Sequence, residues 1–188
     1  MPTAKITVAL EIERDIRAIA VHPEGKCFAT ASNFGDVVTL YDFKTGTTIA
    51  SLTPQTQKVR NSGPAKGTQL LSFSPDGKLL ASIGDDDTIW IWDCAERREY
   101  HVIRGHKFPI YSIAFSPDGS CLICTCQESA LEVWDVKTRK VVSAAKPLEI
   151  GQTCIAFLNK GKTVINGDWN GNLNIWDLAS EARVAPAR

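Results

Sequence analysis

The sequence lacks an excess of charge of either sign and lacks any long apolar run. Its 188 residues carry 21 basic and 21 acidic side chains, so the formal net charge at pH 7 is zero. Without a net field the chain has no general attraction for nucleic acid or for an anionic membrane surface, and we expect neither as a partner. No apolar run approaches the roughly 20 residues of a membrane-spanning helix. The N-terminal stretch has acidic residues where a signal peptide would have its cleavage site, so we expect an intracellular protein, in the cytoplasm rather than the nucleus.

The sequence also lacks a recognisable cysteine framework, although it contains six cysteines. Cys121, Cys124 and Cys126 form a C-x-x-C-x-C stretch, but side chains alternate along a strand, so Cys121 points away from the other two. No second pair of ligands follows at the spacing of a zinc site. We therefore expect the cysteines to be small buried apolar residues, with no metal, no cofactor and no disulfide.

What the sequence does contain is an internal repeat. Four segments share an apolar alternation that closes on an aromatic–Asp pair: VVTLYD (37–42), TIWIWD (88–93), ALEVWD (130–135) and NLNIWD (172–177). The closing pairs are separated by steps of 51, 42 and 42 residues. A column of four turn glycines has nearly the same spacing: Gly25, Gly77, Gly119 and Gly161. A repeat of this period predicts several similar supersecondary units packed side by side.

Each unit is predicted to contain four short antiparallel strands, which in the third unit are EYHVIR, IYSIAFS, CLICT and ALEVWD. Pro-Asp-Gly favours a turn, because proline presets its torsion, aspartate caps locally and glycine accepts a positive φ. The repeats cover about 5–42, 47–93, 99–135 and 140–177 of a single domain, 1–188. The polar stretch 53–67 explains the longer first step as an inserted loop. The tail, 178–188, reads as the beginning of another outer strand.

These features resemble the WD-repeat (WD40) family, whose unit runs from Gly-His through S-P-D-G to Trp-Asp. The best match is GHKFPIYSIAFSPDG followed by LEVWD, and the resemblance covers roughly residues 5–178. It implies an all-β fold, a β-propeller with four four-stranded blades. Rings in this family usually close with about seven blades, so four units imply a partial or open propeller. Pairing of two copies ranks second and a closed monomer last.

The resemblance further implies a structural hydrogen-bond tetrad in the third unit, made of His106, Ser112, Glu128 and Trp134. Glu128 stands where the family usually has aspartate. His106, Ser112 and Glu128 could instead form a hydrolase triad, but the chain has no G-x-S-x-G motif, which favours the structural role. The other units lack the histidine, so we expect them to depend chiefly on apolar packing. We also expect Trp90 to be packed rather than exposed.

Binding in this family takes place mainly on the top face of the propeller, which implies eight candidate residues here: Arg17, Phe34, Gln69, Asp85, Tyr111, Gln127, Thr153 and Trp169. Trp169 is the sharpest candidate, because a tryptophan in the tight turn DWNGN cannot easily be buried within its own blade. In the acidic turn, Asp86 is expected to be structural, whereas Asp85 and Asp87 are expected to be solvated.

The resemblance implies a non-catalytic scaffold that mediates protein–protein interaction through this top face. The expected partners are other proteins or peptide segments, with a homodimer or association with further blades as additional expectations. Two alternatives stay open: an enzyme built on a propeller, or a truncated piece of a larger WD-repeat protein that has no activity of its own. The absence of a nucleophile motif argues against the enzyme.

Overall fold

The computed structural model describes residues 15–32, 37–54, 70–84, 87–104, 106, 109–126, 131–144, 152–179 and 182–184. These residues form sixteen β-strands and one 3-10 turn, Asn159–Gly161. The strands are β1 (Ile16–Val21), β2 (Cys27–Ser32), β3 (Val38–Asp42), β4 (Thr48–Leu52), β5 (Leu71–Phe73), β6 (Leu79–Ile83), β7 (Ile89–Asp93), β8 (Arg98–Ile103), β9 (Ile110–Phe115), β10 (Cys121–Cys126), β11 (Glu132–Asp135), β12 (Lys140–Ala144), β13 (Gln152–Leu158), β14 (Thr163–Asp168), β15 (Leu173–Asp177) and β16 (Ala182–Val184).

The strands form four antiparallel sheets, each of four strands that are hydrogen-bonded in chain order. The first blade is β1–β4, the second β5–β8, the third β9–β12 and the fourth β13–β16. This confirms the predicted all-β architecture of four four-stranded blades. No helix in the described part of the chain is long and apolar enough to cross a membrane.

The blade and the sequence repeat are offset by one strand. The third repeat begins with β8, yet β8 pairs with β7 of the second blade, with Ile103 opposite Ile89. A four-residue turn joins these two strands, and so short a connection favours a hairpin over a crossing to the next sheet. The same offset places β16, which lies in the predicted tail, beside β15 as the outer strand of the fourth blade.

The hydrophobic core of the described residues forms three clusters, and each cluster lies between two successive blades. The first and second blades meet through Leu40, Leu80 and Trp92. The second and third meet through residues of β6, β7, β9 and β10, and the third and fourth meet around Val133 and Trp176. Trp90 is 3% exposed and stacks on Trp92 at 5.8 Å, which confirms that it is packed. Because the middle blades are covered on both faces, their strands show little polar alternation.

Among the residues that the structure describes, the four blades form an open arc rather than a closed ring. The innermost strands touch in chain order, β1 to β5, β5 to β9 and β9 to β13. Ile19 and Val21 on β1 are 63% and 54% exposed, and Leu173 of the fourth blade is 61% exposed. Large apolar side chains are therefore uncovered at both ends of the arc, which agrees with the predicted partial propeller. Most of the predicted inserted loop lies outside the described residues.

Candidate functional site

The eight predicted top-face residues divide equally into those that the structure describes and those that it does not. Phe34, Gln69, Asp85 and Gln127 lie outside the described residues, as does Glu128 of the predicted tetrad. The described members are Arg17, Tyr111, Thr153 and Trp169.

Two of the four described top-face residues, Tyr111 and Trp169, are in contact. Tyr111 lies on β9 of the third blade, and Trp169 lies in the turn between β14 and β15 of the fourth. Their rings meet edge to face, with centroids 5.7 Å apart and planes at 72°. Trp169 nevertheless remains 55% exposed and Tyr111 is half-buried. We call Tyr111 and Trp169 the aromatic pair. It spans two neighbouring blades, and one ring supports the other at the surface.

The turn that carries Trp169 is held by one carboxylate. Asp168 accepts backbone N–H groups from Asn170 at 3.0 Å and Asn172 at 2.8 Å, and side-chain amide groups from Asn172 and Asn174 at 3.1 and 3.2 Å. The hydrogen bond from the Asn172 backbone, followed by those from the side chains, holds the pKa of Asp168 below its ordinary value. The indole therefore projects from an ordered turn, which lowers the entropic cost of binding with it.

Thr153 and Arg17 do not join the aromatic pair. The Thr153 hydroxyl donates to the carbonyl oxygen of Gly167 at 3.3 Å, so it is used within the fourth blade. Arg17 is exposed on β1, at the other end of the arc. In the parts of the chain that are described, no ring contact or hydrogen bond links Arg17 to either aromatic side chain.

A second group of polar side chains lies between the second and third blades. His106 Nε2 is 3.3 Å from Glu132 Oε2, and the Trp134 indole N–H donates to that same oxygen at 3.2 Å. The Sγ atom of Cys124 is 3.9 Å from both His106 Nε2 and Glu132 Oε2. Cys126 lies beside it, two residues along β10. We call His106, Cys124, Cys126 and Glu132 the histidine–cysteine cluster.

Burial and charge act in opposite directions within this cluster. Burial lowers the pKa of His106, but the hydrogen bond with Glu132 and the nearby charges outweigh it, so the pKa is raised. The hydrogen bond from His106 holds the pKa of Glu132 below its ordinary value despite burial. Contact with Cys126, together with burial, raises the pKa of the Cys124 thiol. His106 and Glu132 are therefore stabilised as an ion pair, beside a neutral thiol.

Two members of the predicted tetrad, Ser112 and the turn acid Glu128, are replaced by other residues in the described structure. Ser112 lies opposite Thr125 in the strand register, whereas Cys124 lies opposite Ile113, which packs toward the second blade. Since successive side chains of a strand point to opposite faces, Ser112 is on the other side of the blade from His106. Cys124 takes the place that the prediction gave to Ser112. Glu132 links His106 to Trp134, a role that the prediction gave to an acid in the following turn.

Apolar packing is expected to predominate in the other blades, and two of them also contain an indole hydrogen bond. The Trp92 indole N–H donates to Ser82 Oγ at 2.8 Å in the second blade. In the fourth blade, the Trp176 indole N–H donates to Asn166 Oδ1 at 2.6 Å. Ser82, Cys124 and Asn166 are spaced by 42 residues, the period of the repeat. This column of residues on the second strand of the second, third and fourth blades is the sequence pattern from which the role of Cys124 could have been predicted.

Asp87 is also more than a solvated residue of the acidic turn. Its Oδ1 accepts the backbone N–H of Ile110 at 3.1 Å, and its carbonyl oxygen lies 3.1 Å from His106 Nδ1. A residue of the second blade thus holds the segment that enters the third blade. Asp86, the predicted structural acid, lies outside the described residues.

Comparison with known proteins identifies the repeats. The model of the family described as "WD domain, G-beta repeat" matches residues 68–93, 97–135 and 148–177, together about half of the chain. The chain is 33% identical to Autophagy-related protein 21 of Vanderwaltozyma polyspora over 78 residues, which is 42% of this chain and 18% of that protein. It is 32% identical to Protein TOPLESS of Arabidopsis thaliana over 93 residues, 48% of this chain and 8% of that protein.

Solved structures show the same fold. The crystal structure of RRP9 WD40 repeats superposes with a TM-score of 0.79 at 17% identity, over 93% of this chain and 52% of that one. A chain of Kuenenia stuttgartiensis hydrazine synthase superposes with a TM-score of 0.77 at 19% identity, over 97% and 52%. The chain therefore spans about half the length of these propellers and a smaller share of its curated relatives.

Proposed function

The chain belongs to the WD40 repeat family, and on that premise we propose that it is a non-catalytic scaffold that binds a protein segment through the aromatic pair. The observation that carries the proposal is the exposed Trp169, supported by Tyr111 across a blade boundary at 5.7 Å. Tryptophan and tyrosine dominate the binding energy of protein interfaces, because each buries a large area at low conformational cost. The proposal places the chain inside the cell, in the cytoplasm.

Two features favour a scaffold over an enzyme built on the same fold. His106, the histidine of the alternative hydrolase triad, is engaged by Glu132 and Asp87, while Ser112 lies on the other side of the blade. One relative is named for a regulatory role, the general transcriptional corepressor TUP1 of Saccharomyces cerevisiae, which is 46% identical over 41 residues, 22% of this chain and 6% of that protein. Fold alone does not choose a partner, so the proposal rests on the aromatic pair.

The test uses a library of displayed peptides, from which binders are selected on the purified chain and measured individually by calorimetry. We expect Trp169→Ala and Tyr111→Ala to weaken a selected peptide by about tenfold or more, equivalent to about 1.4 kcal/mol. Phe43→Ala is the matched control, because Phe43 is an equally exposed aromatic residue, at 58%, in a different turn.

Circular dichroism of each variant verifies that its fold is intact before binding is compared. Peptides that bind both aromatic-pair variants as tightly as the unmodified chain would show that this surface is not the binding site. Peptides whose affinity falls equally with Phe43→Ala would also show that the aromatic pair is not the binding site.

A further inference from the structure

Three potential metal-ligand atoms converge between the second and third blades. His106 Nε2, Cys124 Sγ and Cys126 Sγ all lie within 4.8 Å of one another. Cys124 and Cys126 are two residues apart on β10, so they share one face of the strand, and they are 0% and 1% exposed. Glu132 is the register partner of Cys124 on β11 and adds a carboxylate to the group.

We propose that His106, Cys124, Cys126 and Glu132 bind a single Zn²⁺ ion. Tetrahedral zinc with ordinary bond lengths places a sulfur ligand and a nitrogen ligand about 3.6 Å apart, and a nitrogen and an oxygen ligand about 3.4 Å apart. The corresponding distances are 3.9 Å from Cys124 Sγ to His106 Nε2 and 3.3 Å from His106 Nε2 to Glu132 Oε2. These two distances are within about 0.3 Å of the zinc-bound values, and the other pairs among His106, Cys124 and Cys126 lie within 4.8 Å of one another.

The surroundings of the cluster orient its ligands. Asp87 offers its carbonyl oxygen to His106 Nδ1 at 3.1 Å, so when metal binding displaces the Nε2 proton of the ion pair, the remaining ring proton stays on Nδ1 and the Nε2 lone pair is left on the side of Cys124. Metal-bound histidines characteristically donate their second ring N–H to a backbone carbonyl or a carboxylate in this way. The Trp134 indole N–H donates to Glu132 and fixes the carboxylate. His106 and Glu132 therefore each have a hydrogen-bond partner that sets the orientation of the side chain.

The ligand set selects the metal. Two thiolates and an imidazole favour zinc over Ca²⁺ and Mg²⁺, which prefer oxygen ligands only. Binding would release one proton from each of the two thiols and the Nε2 proton of the His106 imidazolium, because the ligands are thiolates and a neutral imidazole. The ion would join the segment entering the third blade to β10 and β11, which is a structural role and is independent of the function proposed for the aromatic pair.

The test is a titration of the metal-free chain with Co²⁺, which reports thiolate coordination through a ligand-to-metal charge-transfer band, followed by displacement with Zn²⁺. We expect one ion per chain and a higher thermal unfolding midpoint with zinc, since a ligand that binds only the folded state stabilises it. Cys124→Ser and Cys126→Ser should weaken binding by at least about tenfold, the lower end of what even an outer-shell substitution costs. Cys154→Ser is the control, because Cys154 is exposed and lies in the fourth blade.

Serine already occupies the equivalent position in another blade for each of these two variants, so both are expected to fold. Ser82 occupies the Cys124 position in the second blade, and Ser32 occupies the Cys126 position in the first. A folded Cys126→Ser chain that binds Co²⁺ as tightly as the unmodified chain overturns the proposal, as does the absence of a charge-transfer band in the unmodified chain. X-ray absorption at the zinc edge of the unmodified chain needs no variant: two sulfur and two lighter ligands are expected, and any other sulfur count overturns the site.

Discussion

In the second and third blades, a single aspartate holds the turn between the first two strands. In the second blade, Asp76 accepts the Ser74 hydroxyl at 2.7 Å and the Lys78 backbone N–H at 3.1 Å. In the third, Asp118 accepts the Ser116 hydroxyl at 2.6 Å. These hydroxyl hydrogen bonds, the largest effect at each site, hold the pKa of both aspartates below the ordinary value. The turn therefore uses the ionised carboxylate, and the repeated Ser-Pro-Asp-Gly is a structural signature rather than a binding motif.

Substitution of the glycine in this turn is expected to destabilise the fold. Gly77 and Gly25 both have positive φ, 70° and 65°, so alanine at either costs about 1–2 kcal/mol in backbone strain. Only at Gly77 would the new methyl group overlap a side chain, the ring of His22. That ring is held by an edge contact with Phe73 at 5.5 Å, so it cannot move away freely.

We expect Gly77→Ala to lower the free energy of unfolding by about 1–3 kcal/mol more than Gly25→Ala does, measured by urea denaturation. Equal losses for the two variants would mean that the first and second blades do not pack through His22 as described.

At the scale of the strand, an indole hydrogen bond and apolar packing together stabilise the second, third and fourth blades. β7 presents two tryptophans, Trp90 and Trp92, stacked at 5.8 Å. The Trp92 N–H has a partner in Ser82, whereas the buried Trp90 N–H has none among the described residues. Trp90 instead lies beneath the guanidinium of Arg104, 5.1 Å from the ring centroid. Neighbouring residues of the same type on one strand thus have different roles.

This difference predicts that Trp92→Phe is more destabilising than Trp90→Phe. The first substitution leaves the Ser82 hydroxyl buried without its partner, at a cost of about 1–3 kcal/mol, while the second removes an N–H group that is already unpaired. Both remove a similar volume, so Trp90→Phe serves as the matched control. Urea unfolding of the two variants measures the difference, and an equal loss would contradict a stabilising role for the Trp92–Ser82 hydrogen bond.

At the scale of the whole molecule, the open arc leaves apolar surface at both ends. The first blade exposes Ile19 and Val21, and the fourth exposes Leu158 and Leu173. A blade of this kind is normally covered on both faces by neighbours. The solved propellers that superpose on this chain are about twice its length, so a second set of blades is the natural cover.

We expect the purified chain to supply that cover with a second copy of itself, giving a molar mass by light scattering of twice the 20.6 kDa chain mass. Ile19→Asp should shift the mass toward that of the monomer, because a charge buried in the apolar contact is unfavourable. Val142→Asp is the matched control and should leave the mass unchanged, because Val142 is 53% exposed on the outer strand of the third blade, which has a neighbouring blade on each face. A monodisperse monomer for the unmodified chain would contradict the expectation.

The sequence by itself determined the repeat, the number of strands and the turn chemistry, because these depend on short-range periodicity and on residues within a few positions of each other. The sequence also predicted that Trp169 is exposed, since a side chain in a tight turn cannot easily be buried within its own blade. The tertiary structure decided which strands share a blade, because the offset of one strand depends on where the chain crosses between sheets. It alone placed Glu132 and Asp87 beside His106 and set Ser112 apart, since these contacts join segments about 20 residues apart whose facing depends on strand register.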